Sequence, residues 1–143
     1  MNQICDALEL LTAQHGEIDE LCERIARYRD AAAFDELADK LPTHLALEQE
    51  LFYPNIDLAQ EVRAELIAEH VAIKRLLGQL VWMGVEDEDF GDLFAQLGEL
   101  LLGHTAYQED HLFTAVAETM PADRLAALCS DLQQFDSFRA VAA

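Results

Sequence analysis

The sequence predicts an all-α chain: an up-down-up-down four-helix bundle with an additional short C-terminal helix. Three observations predict it. Apolar residues recur at the three-and-four spacing of an amphipathic helix almost throughout the 143 residues. No stretch alternates apolar and polar residues as a half-buried strand does. Gly and Pro, the strongest breakers, number only 6 and 3. A 52% hydrophobic chain of this length supports one core, so residues 1–143 are expected to form a single domain.

The breaks fall at Arg29-Asp30, at Pro54-Asn55-Ile56-Asp57, between Gly84 and Asp92, and at Thr119-Met120-Pro121. The first helix is expected over about 3–28, with the stripe Ile4, Leu8, Leu11, His15, Ile18, Cys22 and Ile25. The second, over about 32–53 with Asp30 as N-cap, carries Phe34, Leu37, Leu41, His44, Glu48 and Leu51. The third, over about 58–83 with Asp57 as N-cap, carries Leu66, His70, Ile73, Leu77 and Leu80. The fourth, over about 89–118, carries Phe94, Leu97, Leu101, His104, Gln108, His111 and Ala115. Short connections force these four, over about 3–118, into alternating directions. Pro121 suits the first turn of a last helix over about 121–138, whose stripe is Leu125, Leu128, Leu132 and Phe135.

A net charge of −19 repels phosphate backbones and anionic lipid, so neither nucleic acid nor a membrane is an expected partner. The longest mostly apolar run, Leu76 to Val85, is far shorter than the roughly 20 residues of a membrane span. The N-terminus lacks the basic-then-apolar pattern of a signal peptide, which predicts a cytoplasmic protein. Cys5, Cys22 and Cys129 are odd in number and widely spaced, so they are expected to be reduced, Cys22 as a small core residue.

The polar residues caught on the apolar stripes carry the chemistry. All 5 histidines lie on the four bundle stripes. His15, His44, His70 and His104 each fall near mid-helix, so antiparallel packing brings them to one layer. Burying four such rings and the Glu48 carboxylate without partners costs about 1–3 kcal/mol per neutral group and more for the ion. A bound cation removes that conflict. His44 and Glu48, four residues apart, differ by about 40° around the helix and serve one site. Gln108 and His111 share the face of His104, whereas Glu109 lies about 140° away unless a π-bulge intervenes. Imidazole and carboxylate donors suit iron, manganese or zinc. The Glu-x-x-His motif of ferritin-like di-iron proteins is absent.

His15 in Leu11-Thr12-Ala13-Gln14-His15, the run His44-Leu45-Ala46-Leu47-Glu48-Gln49-Glu50-Leu51-Phe52-Tyr53-Pro54, Glu69-His70, and His104 with Glu109 before Leu112-Phe113 resemble the hemerythrin-like, HHE cation-binding family. The resemblance implies a bundle holding two non-haem iron ions, oxo- or hydroxo-bridged, with zinc or manganese as substitutes. It implies His15, His44, His70 and His104 as terminal ligands, Glu48 as a bridge and Glu109 as a second bridge, with Gln108 or His111 as alternatives for completing the site. Oxygen carriers of that family have a further histidine where this chain has Lys74, which disfavours reversible oxygen carriage.

The function this implies is binding or sensing of a small diatomic ligand or peroxide (O2, peroxide or NO), or sensing of iron. No catalytic base stands apart from the ligands, so a substrate-oxidising enzyme is not expected, while peroxide decomposition needs only the metals. The alternatives are a metal-responsive interaction module with an exposed last helix and a mononuclear metal-binding bundle.

Overall fold

The computed structural model describes residues 5–142, with side chains through residue 137. Asp6 starts α1 (Ala7–Tyr28) by accepting from Leu8 N at 2.7 Å, so the helix begins later than the apolar stripe suggests. Expected helical position 3 and stripe residue Ile4 lie outside the described residues. α1 ends at Arg29 with φ 48°, and the Arg29 guanidinium donates to the carbonyls of Val85 and Asp87. That contact ties the α1–α2 turn to the loop at the same end.

α2 (Ala31–Leu47) is capped by Asp30, which accepts from Ala33 N at 3.0 Å, as the sequence predicts. It passes into a π turn, Glu48–Phe52, and a short 3-10 turn, Tyr53–Asn55. α3 (Gln60–Met83) has Ala59 at its N-cap, with no side-chain capping bond, so the Asp57 cap is corrected. It ends at Gly84, whose φ of 84° and ψ of 159° are open essentially to glycine.

The helix expected over 89–118 is α4 (Phe90–Tyr107), a π turn (Gln108–Leu112) and α5 (Phe113–Thr119). α6 (Ala122–Ala142) outruns its expected end because nothing in Asp136-Ser137-Phe138-Arg139 breaks a helix.

Among the described residues the structure is helical with no strand. α1 packs on α2 and α3 on α4, with further contacts of α1 with α4 and α2 with α3. Two apolar cores result. One joins Ile18, Leu21, Leu37, Leu41, Leu77 and Leu97 toward the Arg29 end. The other joins Leu11, Phe52, Tyr53, Leu66 and Phe113 to Leu125, Leu128 and Leu132 of α6. Along every helix the buried histidine falls between residues of one core and residues of the other.

The last helix packs onto the bundle, its apolar stripe buried against α1, α2 and the first π turn. The expectation of reduced cysteines is corrected. Cys5 and Cys129 form a disulfide with Cα atoms 5.7 Å apart, and Cys22 is free. A separation of 124 residues leaves no spacing pattern to read, and only docking of α6 brings the pair together. No helix among the described residues is long and apolar enough to cross a membrane.

Two glycines should respond with opposite signs. Gly84→Ala is expected to destabilise by about 1–3 kcal/mol, because an L-residue is strained at that backbone conformation. Gly16→Ala, inside α1 with open space around an added Cβ, is expected to stabilise by up to about 1 kcal/mol. Denaturant unfolding of both variants checks the pair.

Candidate metal centre

Five side chains meet between the two cores, and all are nearly inaccessible: His15 at 6%, His44 at 5%, His104 at 3%, and Glu48 and His70 at 0%. Glu48 is central. Its Oε2 lies 3.5 Å from His15 Nε2 and 3.2 Å from His44 Nε2. Its Oε1 lies 3.2 Å from both His70 Nε2 and His104 Nε2. Two sets of potential ligands therefore share one carboxylate, His15-His44-Glu48 and Glu48-His70-His104.

The outer nitrogens explain how the rings are held. His15 Nδ1 bonds Glu109 Oε2 at 2.8 Å and His104 Nδ1 bonds Glu69 Oε1 at 2.5 Å. His44 Nδ1 bonds Gln14 Oε1 at 2.7 Å and His70 Nδ1 bonds Gln49 Oε1 at 3.2 Å. A carboxylate can only accept, so Nδ1 of His15 and His104 carries the proton and donates. With Nδ1 protonated, a neutral ring turns its Nε2 lone pair toward Glu48, the orientation a metal-binding histidine requires.

Lone pairs facing a carboxylate repel unless a proton or a cation lies between them. In the first set every inward atom, His15 Nε2, His44 Nε2 and Glu48 Oε2, is buried without a hydrogen-bond partner. Orphaned acceptors of this kind, two nitrogens and one oxygen on one side of Glu48, fit a transition-metal ion. Without metal, protons hold the centre together. Burial alone would raise the Glu48 pKa, but His44 and the bonds to His104, His15 and His44 bring it well below the usual range. Burial alone would lower His15 and His104, yet Glu48 raises both, with Glu109 and Glu69 adding to the effect.

The π turns aim the central residues. Each closes an i→i+5 bond, from Tyr53 N to Glu48 O and from Phe113 N to Gln108 O. Regular α-helix would rotate the fifth residue on by about 140°, whereas the wider turn brings Tyr53 beside Glu48. Tyr53, 1% exposed, places its hydroxyl 3.2 Å from His70 Nε2 and accepts from Gln108 Nε2 at 2.8 Å. Burial pushes its phenol pKa up. The sequence places Tyr53 at ordinary packing positions because the π turn leaves no mark in the hydrophobic pattern.

The remaining expected ligands are distributed differently. Glu109, expected as a bridge, lies on the outer side of His15, because Gln108, four residues after His104, holds the inward position that α-helical spacing gives it. Gln108 is fully buried with its Oε1 unpartnered. His111 is exposed, its ring centroid 5.2 Å from that of Tyr107, and it does not join the cluster. Phe113 stacks on His15 with centroids 5.9 Å apart and closes one side.

A groove of about 600 Å³ between α1 and α4 runs along Ile18, Cys22, Phe94, Gly98 and Leu102 and reaches His15 and Glu109. Sequence reading anticipates no such pocket, because it arises from small residues facing each other across two helices.

Helices that present inward-facing histidines and a shared glutamate define a cation-binding domain. The family model for the hemerythrin HHE cation-binding domain matches residues 6–116, and the chain belongs to that family. The match stops before α6. A protein described as a DNA nickase, from Nostoc sp. strain PCC 7120, is 22% identical over 122 residues. That alignment covers 81% of this chain and 35% of the relative, so the chain spans about a third of that protein's length. No solved structure matches the chain significantly.

The proton-held and metal-held states should differ in pH response. Stability from raised His15 and His104 is full below about 6.5 and is lost as pH rises through their folded values. The contribution of Glu48 is present above about 4.5 and is lost only in acid, as pH falls through its depressed value. The chelated protein is therefore expected to show a Tm that falls as pH rises above about 6.5, while metal affinity rises as Nε2 sheds protons. Thermal melts of chelated and metal-loaded protein across that range check it; a chelated Tm that climbs with pH contradicts it.

Proposed function

We propose that the chain is a non-haem di-iron protein, built as an up-down-up-down four-helix bundle, that binds or senses dioxygen, peroxide or nitric oxide in the cytoplasm. The shared Glu48 carboxylate between two histidine pairs carries the reading, since one carboxylate with two oxygens suits a bridge between two ions. His15 and His44 would hold one ion, His70 and His104 the other, with Glu48 between them. A bound iron pair supplies redox chemistry toward dioxygen, peroxide and nitric oxide.

The protein's own groups do the rest. Gln14, Gln49, Glu69 and Glu109 fix the ring orientations through Nδ1. Phe52, Phe113 and Leu112 exclude water from one end. Tyr53 holds a proton at its hydroxyl beside His70 Nε2, and Gln108 orients it. The α1–α4 groove provides the path by which a small molecule reaches His15.

Peroxide decomposition is compatible with this arrangement, because it needs no base apart from the ligands. The regulatory-module alternative loses its main support, since Leu125, Leu128 and Leu132 are 7%, 5% and 0% exposed. DNA cleavage is not carried over from the nickase, because a −19 chain is ill suited to a phosphate backbone.

Glu48→Gln should lower bound iron from about two ions per chain to one or none while far-ultraviolet circular dichroism stays helical. Gln108→Glu, which adds a carboxylate at a fully buried inward position, should raise metal affinity by roughly 10-fold or more. Iron analysis with competitive chelation measures both; two irons retained by Glu48→Gln would exclude Glu48 as the bridge. Gly98→Phe, filling open space in the groove, is expected to slow the reaction with peroxide or nitric oxide by roughly 10-fold without changing metal content. Stopped-flow spectroscopy of the iron-loaded variant decides this.

A further inference from the structure

The Cys5–Cys129 pair sits where it can report oxidation to the metal centre. Cys5 lies at the start of the described chain, half-buried, immediately before the Asp6 cap of α1. Cys129 lies on α6 and is fully buried. Both fall outside the matched residues 6–116, Cys5 immediately before them and Cys129 on α6 beyond them.

α6 forms part of the roof of the site. Leu125, Leu128, Cys129 and Leu132 share a buried cluster with Phe52, Tyr53 and Phe113. Phe113 stacks on His15, and Phe52 contacts both Phe113 and Tyr53, with centroids 5.6 and 6.0 Å apart. Loosening α6 therefore loosens the aromatic layer directly over His15 and Tyr53. Cys22 offers a contrast, since burial pushes its thiol up to about 12 and suppresses the reactive thiolate.

We propose that Cys5 and Cys129 are a peroxide-oxidised redox pair whose disulfide clasps α6 over the metal centre and slows metal exchange. The second half rests on the metal-binding reading above. The half-buried Cys5, as its thiolate, attacks peroxide, forming a sulfenic acid and releasing hydroxide. The Cys129 thiol then displaces water from that sulfur, and the disulfide forms. In sum, two thiols and one hydrogen peroxide give one disulfide and two waters; the cysteines lose two electrons and peroxide gains them. A dithiol reductant reverses the step. In a cytoplasmic setting such a bond is of the transient, redox-sensing kind.

The test uses the metal-loaded 143-residue chain, first reduced and then treated with hydrogen peroxide. Oxidation should leave only Cys22 of the 3 cysteines titratable, and the Cys5–Cys129 peptide pair should appear in a non-reducing digest. Hydrogen exchange in α6 and the rate of iron loss to a chelator should each fall roughly 10-fold or more on oxidation. Cys5→Ser, at a half-buried position, should abolish both changes, and Cys22→Ser should keep them.

Equal α6 exchange in the reduced and oxidised chain would overturn the clasp. Changed exchange with unchanged iron loss would overturn its coupling to the centre. If the chain holds no metal, the function proposed above fails, and α6 exchange alone decides the clasp.

Discussion

A single buried carboxylate with four imidazole nitrogens turned toward it governs the structure, and the surrounding layers can be understood as means of tolerating it. Glu48 has no access to water, and its two oxygens face His15, His44, His70 and His104 at 3.2–3.5 Å. An ionised carboxylate in an apolar interior is stable only when paired, so cations or protons must occupy the spaces between these atoms. The outer ring of Gln14, Gln49, Glu69 and Glu109 fixes the imidazoles, and the two cores seal the layer from both ends. Each pair has one ring backed by a carboxylate and one by an amide, so the two halves are held by the same kinds of partner.

The helix hairpins repeat a pattern around this group. His44 and Glu48 open onto a π turn that ends beside Tyr53, and His104 and Gln108 open onto a second that ends beside Phe113. The repeat is chemically broken: where one turn has Glu48 and Tyr53, the other has Gln108 and Phe113. Tyr53 and Gln108 hydrogen-bond to each other beside His70, while Phe113 covers His15. The two halves therefore present different surroundings to a ligand, one polar and closed, the other apolar and adjoining the α1–α4 groove.

The histidine layer was legible in the sequence because 3.6-residue periodicity alone puts His15, His44, His70 and His104 on apolar stripes. The His44–Glu48 pair was legible for the same reason. A π-bulge after His104 is anticipated only as a way to bring Glu109 inward, and the π turn at Glu48 was not legible, since a one-residue widening alters no hydrophobic pattern over so short a span. Two arrangements were therefore missed, the hydrogen bond of Tyr53 beside His70 and the place of Glu109 behind His15, whereas Gln108 already lay on the inward stripe. Gln14, Gln49 and Glu69 read as ordinary surface residues, because only the packed rings reveal what they hold. The Cys5–Cys129 bond was invisible because its two ends meet only through α6.

The most direct measurement of the central claim is anomalous diffraction at the iron edge from crystals of the iron-loaded protein. A pair of ions bridged by Glu48 should give two peaks, one beside each oxygen of that carboxylate, separated by about 3.5–4 Å. A single peak, or peaks away from Glu48, would contradict it.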